Sequence, residues 1–438
     1  MTFNIPRASL VRGLFNRRTA LGILPFAALG IFFFTLYSHT ANKLKQSGMY
    51  ERNDVFFRTD TCRTFKDMAG ERTGKRGRTS VHPIFVIAHQ PAGALLREYY
   101  RSKPGMKKME AAMLASIVMT STAGTGTVLF LYASLLAMGI PALRAFLFAS
   151  ILGASATQMF FSSAPETYVF SSLGLAAVAF FSVRRKTSEV WFQSASVYAV
   201  GCLTSNLAPV AIWCTARHWN VSSSMLNLLW RVARVLALTI SVLIVLSVVQ
   251  KWIYPSSAYF FVPSAALNET QWLYWENLTK PLETVRILLQ HLWLSNIIAP
   301  EPVQDMFMNQ RMASIEQGRW ATFLPAWPLY LAWALVLVAA VSSLRFKKTC
   351  TLPILAALGC IAFNFFFHSV FGNDRMLYSA NWTLFTVMSV AWGVEVFLKR
   401  HAVMTLPMTV LLALLLVGEM IHNWRFMGKI LAVVQDGS

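Results

Sequence analysis

Acidic residues are scarce in this 438-residue chain: 19 Asp and Glu stand against 39 Lys and Arg, and charged residues of either sign make up only 13% of it. With 55% hydrophobic residues, so little charge could not cover the surface of a soluble globule, which leaves an integral membrane protein with many spans. Cysteine is sparse as well. Cys62, Cys202, Cys214, Cys350 and Cys360 show no paired metal-ligand spacing and fall mostly in or beside apolar runs, so neither a disulfide framework nor a zinc site is implied. No Gly-x-Ser-x-Gly, His-Glu-x-x-His or Walker pattern occurs, which removes soluble-type hydrolase and ATPase chemistry. The chain also lacks an internal repeat, which counts against a repeat-built transporter.

What is present is basic and apolar. The net charge of +20 lies mainly in short runs between apolar segments, as positive-inside topology and contact with anionic lipid require. No basic, aromatic-interleaved soluble domain accompanies it, so membrane lipids are expected partners and nucleic acid is not. Arg7, Arg12, Arg17 and Arg18 precede an apolar run from Thr19 to Ser38, long enough for ~30 Å of hydrocarbon and lacking a small-residue cleavage site. We read a retained first helix, a cytoplasmic N-terminus and residues 39–80 outside. The stretch Val81 to Leu96 opens at His82-Pro83 and contains Pro91 and Gly93, which suits a surface or re-entrant helix, and residues 97–108 stay outside with it.

Apolar runs follow at 110–138, 145–162, 168–183, 188–214, 227–250, 321–342, 350–370, 378–397 and 402–421. They predict an all-α polytopic membrane protein with about 10–12 transmembrane helices and extracytoplasmic juxtamembrane helices. Arg184-Arg185-Lys186, Arg345-Phe346-Lys347-Lys348 and Lys399-Arg400-His401 then mark cytoplasmic loops. The parity closes only if 188–214, interrupted by Asn206 and Pro209, enters and leaves on one side, with Arg217, Arg231 and Arg234 inside. The chain thus divides into a membrane module at 1–250 with its first outer loop at 39–108, an extracytoplasmic region at 251–320, and C-terminal membrane helices at 321–438. Ala123-Gly124-Thr125-Gly126 lies inside an apolar run and suits close helix packing rather than a phosphate loop.

Carboxylates are costly in lipid, so the place where the few of them gather is informative. Glu51, Asp54, Asp60, Asp67 and Glu71 crowd into residues 51–71, just beyond the first span. Asp54 and Asp60 flank Phe56 and Phe57, whose rings would anchor the loop at the interface while a carboxylate reaches into a cleft. The bland alternative is a solvated loop in which each acid pairs with a neighbouring arginine. A second outer turn, Ser163 to Tyr168, carries Glu166 after Pro165, where a carboxylate caps a helix as readily as it serves a substrate. In a third, Arg375 and Tyr378 share a helical face fit for a phosphate, unless Arg375 merely pairs with Asp374. Arg97 and Arg101, with Lys103, Lys107 and Lys108, form a patch for a lipid-linked phosphate or for headgroups. His82 and His89 lack acid ligands at metal spacing, so no His metal site is expected; Asp60 or Asp54 remain candidates for a hard divalent cation.

In this order, the cytoplasmic N-terminus, one span, an outer loop with aspartates from Asn53 to Asp60, the His82-Pro83 element and the Glu166 turn resemble the GT-C superfamily. These are integral membrane glycosyltransferases that use polyprenyl-phosphate sugars, among them the protein O-mannosyltransferases and the aminoarabinose transferase for lipid A. The resemblance covers roughly residues 19–186, with support from 372–382; the adjacent acidic pair of many mannosyltransferases is not found. It implies a GT-C-like fold and inverting transfer at the outer face from a lipid-linked sugar donor to a glycan, lipid or protein acceptor. In that reading Asp60, or Asp54 as second choice, is the general base. Arg375 offsets charge on the leaving phosphate, His82, Glu166 and Tyr378 bind sugar or acceptor, and Arg97 and Arg101 lie on the donor side. A divalent cation is the one cofactor in view. A transporter or flippase of a lipid-linked or anionic solute, or a membrane scaffold, is the alternative.

Overall fold

The structure is a computed structural model that describes residues 17–71, 76–184, 187–307, 310–315, 319–345 and 351–435. Arg7, Arg12, Arg185, Lys186, Lys347, Lys348 and Cys350 lie outside the described residues.

The chain folds as helices that run back and forth between two ends of a bundle. Helix α1 (Arg17–Gln46) leads to α2 (Thr61–Ala69) and α3 (Phe85–Arg101), which lie at the end that will hold the site. Helix α4 (Lys108–Ala137) returns, and α5 (Ala142–Ala154) with the short α6 (Ala156–Phe161) comes back. Helix α7 (Thr167–Val183) starts at the Glu166 turn. Two shorter helices follow, α8 (Glu189–Cys202) and α9 (Leu207–His218). Helix α10 (Met225–Ile253) brings the chain back to the site end, where α11 (Pro263–Glu269), α12 (Pro281–Gln290) and a β-hairpin of β1 (Pro302–Phe307) and β2 (Gln310–Ile315) form a cap. Helices α13 (Trp327–Ser342), α14 (Leu352–Val370), the single-turn α15 (Arg375–Tyr378), α16 (Thr383–Arg400) and α17 (Thr405–Gln435) complete the bundle.

Among the described residues six helical stretches are long and apolar enough to cross a membrane, or up to seven if the pair bent by 58° at Trp382 counts as one span. That is fewer than the expected ten to twelve, because other apolar runs form shorter helices, among them α5 and α7. The run at 188–214 accounts for two of the short ones. Pro209 cannot continue a preceding helix, and at the break the Asn206 side chain donates to the Ala199 carbonyl at 2.8 Å, beside the Leu203 N–H that also bonds there. Arg217 at the end of α9 binds Glu189 at the start of α8, 3.0 Å away, so the pair is a hairpin that returns to the end where it began.

Close packing follows small residues. A methyl group on Gly124 would meet the Ser162 hydroxyl at 2.0 Å, and Gln158 donates to the Gly124 carbonyl at 3.0 Å, so α4 touches the α6 turn directly. Phe56 and Phe57, expected at the membrane interface, are instead fully buried. Phe57 sits edge-on to Phe160 at 4.9 Å and stacks on Phe426. The cause is the β-hairpin: Ala313 of β2 accepts from Phe57 N–H at 3.0 Å and donates to the Val55 carbonyl at 2.9 Å, drawing the loop into the protein.

Candidate functional site

The cluster at residues 51–71 sorts itself by burial. Glu51 is exposed, and Glu71 makes an exposed pair with Lys108. Asp67 is buried against Arg76, which donates to it at 2.7 Å and also to the carbonyls of Lys66 and Glu71. Burial raises the Asp67 pKa and the arginine opposes the rise, so this pair holds the loop rather than a substrate. Arg76→Met strands a buried carboxylate and is expected to cost about 3–5 kcal/mol of stability, read from the thermal midpoint. Adding Asp67→Leu recovers much of that loss, because the unpaired charge is gone.

Asp54 and Asp60 remain, and both line a cavity of about 680 Å³. The Asp60 carboxylate pairs with Arg63, as the bland reading of the loop expected. No hydrogen bond or ion pair engages the Asp54 carboxylate among the described residues, and burial, then Asp60, raises its pKa. Backbone geometry presents it: Asp54, Phe57 and Arg58 have φ of 60°, 49° and 57°, and Asp54 N–H donates to the Thr59 carbonyl at 2.8 Å.

Glu166 joins the first two of the three segments. Its carboxylate accepts from the Asp60 N–H at 2.7 Å and from the Thr167 N–H at 2.8 Å, so it caps α7 and fixes the aspartate loop at once. Burial, then the Asp60 charge, pushes its pKa up to about 7, against the Arg63 charge and the two backbone donors. The folded protein therefore binds more protons than the unfolded chain between the ordinary carboxyl range and about pH 7, and stability falls as pH rises through that window. Glu166→Gln is expected to flatten the fall of the thermal midpoint between pH 5 and 7; an unchanged slope assigns it to another group.

His82 also lines the cavity. Its Nδ1 lies 2.7 Å from the Cys202 carbonyl and Nε2 faces the Thr167 hydroxyl at 3.5 Å. Burial and then Arg78 lower its pKa to about 3, so it is a neutral ring that donates from Nδ1. Gln250 of α10 grips the same element, donating to the Pro83 carbonyl and accepting from Ile87 N–H, both at 2.9 Å. His89 is bound separately to the Phe85 carbonyl and the Tyr198 hydroxyl.

The third segment arrives through Tyr378, whose ring meets Tyr168 edge-on at 5.6 Å. Gly372 makes this possible: its φ is 69°, and a Cβ there would strike the Tyr378 ring at 2.3 Å. The segment Trp272 to Tyr274 closes the wall by backbone bonds to Val370 and Gly372.

Three expected site residues lie elsewhere. Arg375 is buried but turns away, donating to the Gly372 carbonyl, because the chain starts α15 there with Asp374 as its N-cap. Arg97 donates to the carbonyls of Ala69 and Gly70 and ties α3 to the end of α2. Arg101 makes only a loose, exposed pair with Glu98 at 3.7 Å. The guanidiniums in the cavity are those of Arg58, Arg63 and Arg78. Arg78 binds Glu269 at 3.3 Å; burial disfavours its charge, yet Asp60 and Glu269 hold its pKa above the ordinary value. Arg58 and Arg63 follow the aspartates in sequence, a signal that local charge pairing masked.

The lining also has a large apolar share, with Val200, Leu207, Ile240, Leu243, Phe260 and Phe367 among its members. Among the described residues no group of three or more His, Cys, Asp or Glu is placed to hold a metal ion. No known family matches the chain, and no curated protein matches it.

Proposed function

We propose that the protein is an inverting membrane glycosyltransferase of GT-C type, moving a sugar from a polyprenyl-phosphate donor to an acceptor hydroxyl. The observation that carries this reading is the composition of one cavity lining: carboxylates and three guanidiniums together with a large apolar share. A lipid-linked phosphate sugar presents both kinds of surface, and guanidinium forks match phosphate oxygens. Asp54 takes the proton from the acceptor O–H as that oxygen bonds to the anomeric carbon. The bond from this carbon to the donor phosphate oxygen breaks, and its electron pair leaves on the phosphate, where Arg58, Arg63 and Arg78 offset the charge. The base is thus Asp54 rather than Asp60, whose ion pair with Arg63 lowers its availability.

Topology fits the same reading. Arg144, Arg184, Arg217, Arg345, Lys399 and Arg400 gather at the end away from the cavity, which supports a cytoplasmic placement of that end and an outer face for the site. The shorter helices run between the same two ends as the long ones, and counting them as crossings brings the total to the ten to twelve of a GT-C-like arrangement.

The test is transfer of labelled sugar from a polyprenyl-phosphate donor by the full chain in proteoliposomes. Labelled product on an added glycan, lipid or peptide is the expected result. No product with any acceptor, together with uptake of a labelled anionic solute, would make the protein a transporter.

A further inference from the structure

A second cavity of about 390 Å³ adjoins the first and shares Arg58, Asn373 and Asp374 with it. The rest of its lining comes from the β-hairpin: Gln304, Asp305 and Ser314, with Val303 and Ile315 as its apolar members. Its size falls in the ~300–1,000 Å³ range of small-ligand clefts. Nothing in it repeats the large apolar share of the first cavity.

We propose that this second cavity binds the acceptor, and that the acceptor is a neutral, hydroxyl-rich glycan whose reactive hydroxyl passes between Arg58 and Asp374 into the first cavity. The word acceptor rests on the transfer reading; carbohydrate binding at the hairpin does not. The lining mixes pure donors (Arg58), pure acceptors (Asp305, Asp374) and groups that do both (Gln304, Ser314, Asn373), which suits hydroxyls that donate and accept in turn. A lipid acceptor would need an apolar wall.

Both junction residues are held in place. Asp374 is buried, and its Oδ1 accepts from the N–H groups of Met376 at 3.1 Å and Leu377 at 3.3 Å. Arg58 follows Phe57, which is bonded to Ala313, the neighbour of Ser314. One hairpin therefore lines the second cavity and fixes the loop that carries Asp54.

The experiment uses the full chain in nanodiscs without donor, and measures binding of maltotetraose, cellotetraose, mannotetraose, chitotetraose and a serine-containing tetrapeptide. Saturable binding of at least one tetrasaccharide is expected. Gln304→Ala, at an exposed position, weakens it about fivefold, the value of one hydrogen bond. Ser314→Trp fills the cavity and removes binding, while both variants still retain labelled polyprenyl-phosphate sugar. The proposal is overturned if no tetrasaccharide binds, if Ser314→Trp binds as wild type does, or if the peptide binds and the sugars do not. A protein that binds a tetrasaccharide in this cavity but neither retains nor consumes donor keeps the carbohydrate site and loses the transfer reading.

Discussion

Asp54→Asn lowers the transfer rate by about two to four orders of magnitude, the span that a positioned general base contributes, while donor retention is unchanged. The substitution is conservative in every other respect. Asn tolerates the left-handed backbone at φ 60° as well as Asp does, and the N–H bond to the Thr59 carbonyl is untouched. Asp60→Asn has a smaller effect, because its pair with Arg63 is partly solvated and screened. Rates are compared at equal protein abundance in the membrane. A full rate in both variants removes the aspartate base altogether, and a collapse confined to Asp60→Asn returns the role to that residue.

Phe57→Ala costs about 3–5 kcal/mol of stability and also abolishes transfer. The ring is fully buried, and its residue sits at φ 49° between two others of positive φ, Asp54 and Arg58. Such backbone states cost of order 1–3 kcal/mol each and persist only where the surroundings hold them. Packing against Phe160 and Phe426 holds this loop together with its backbone bonds to Ala313, so removing the ring lets Asp54 and Arg58 relax away from the cavity. Phe57→Leu keeps part of the contact and loses less. A thermal midpoint equal to wild type in Phe57→Ala would mean that the loop is held by its backbone bonds alone.

Much of the bundle could be read from local signals, because apolar runs and basic clusters mark where helices lie and where the chain turns. Counting them put the turns at Asp60, Glu166 and Tyr378 on one face, and a hydrogen bond of 2.7 Å and a ring contact of 5.6 Å join those turns. Side-chain direction was another matter. Asp374 and Arg375 are adjacent, and only the start of α15 decides that the acid faces both cavities while the arginine turns inward. Arg97 shares a basic patch with Arg101, yet beside its pair with Glu98 it donates to carbonyls at the end of α2, far from it in sequence. The β-hairpin went unseen because its strands are six residues each, partly polar and embedded in a long cap. With it went the burial of Phe56 and Phe57 and the existence of the second cavity.

The apolar share of the first cavity's lining includes Ile240 on α10, which is 36% exposed on the side of the bundle. A ligand that meets its site through such a lining arrives along the plane of the bilayer. Its effective concentration is then a mole fraction among lipids, set by dilution within the membrane, and the volume of the surrounding water drops out of the rate law.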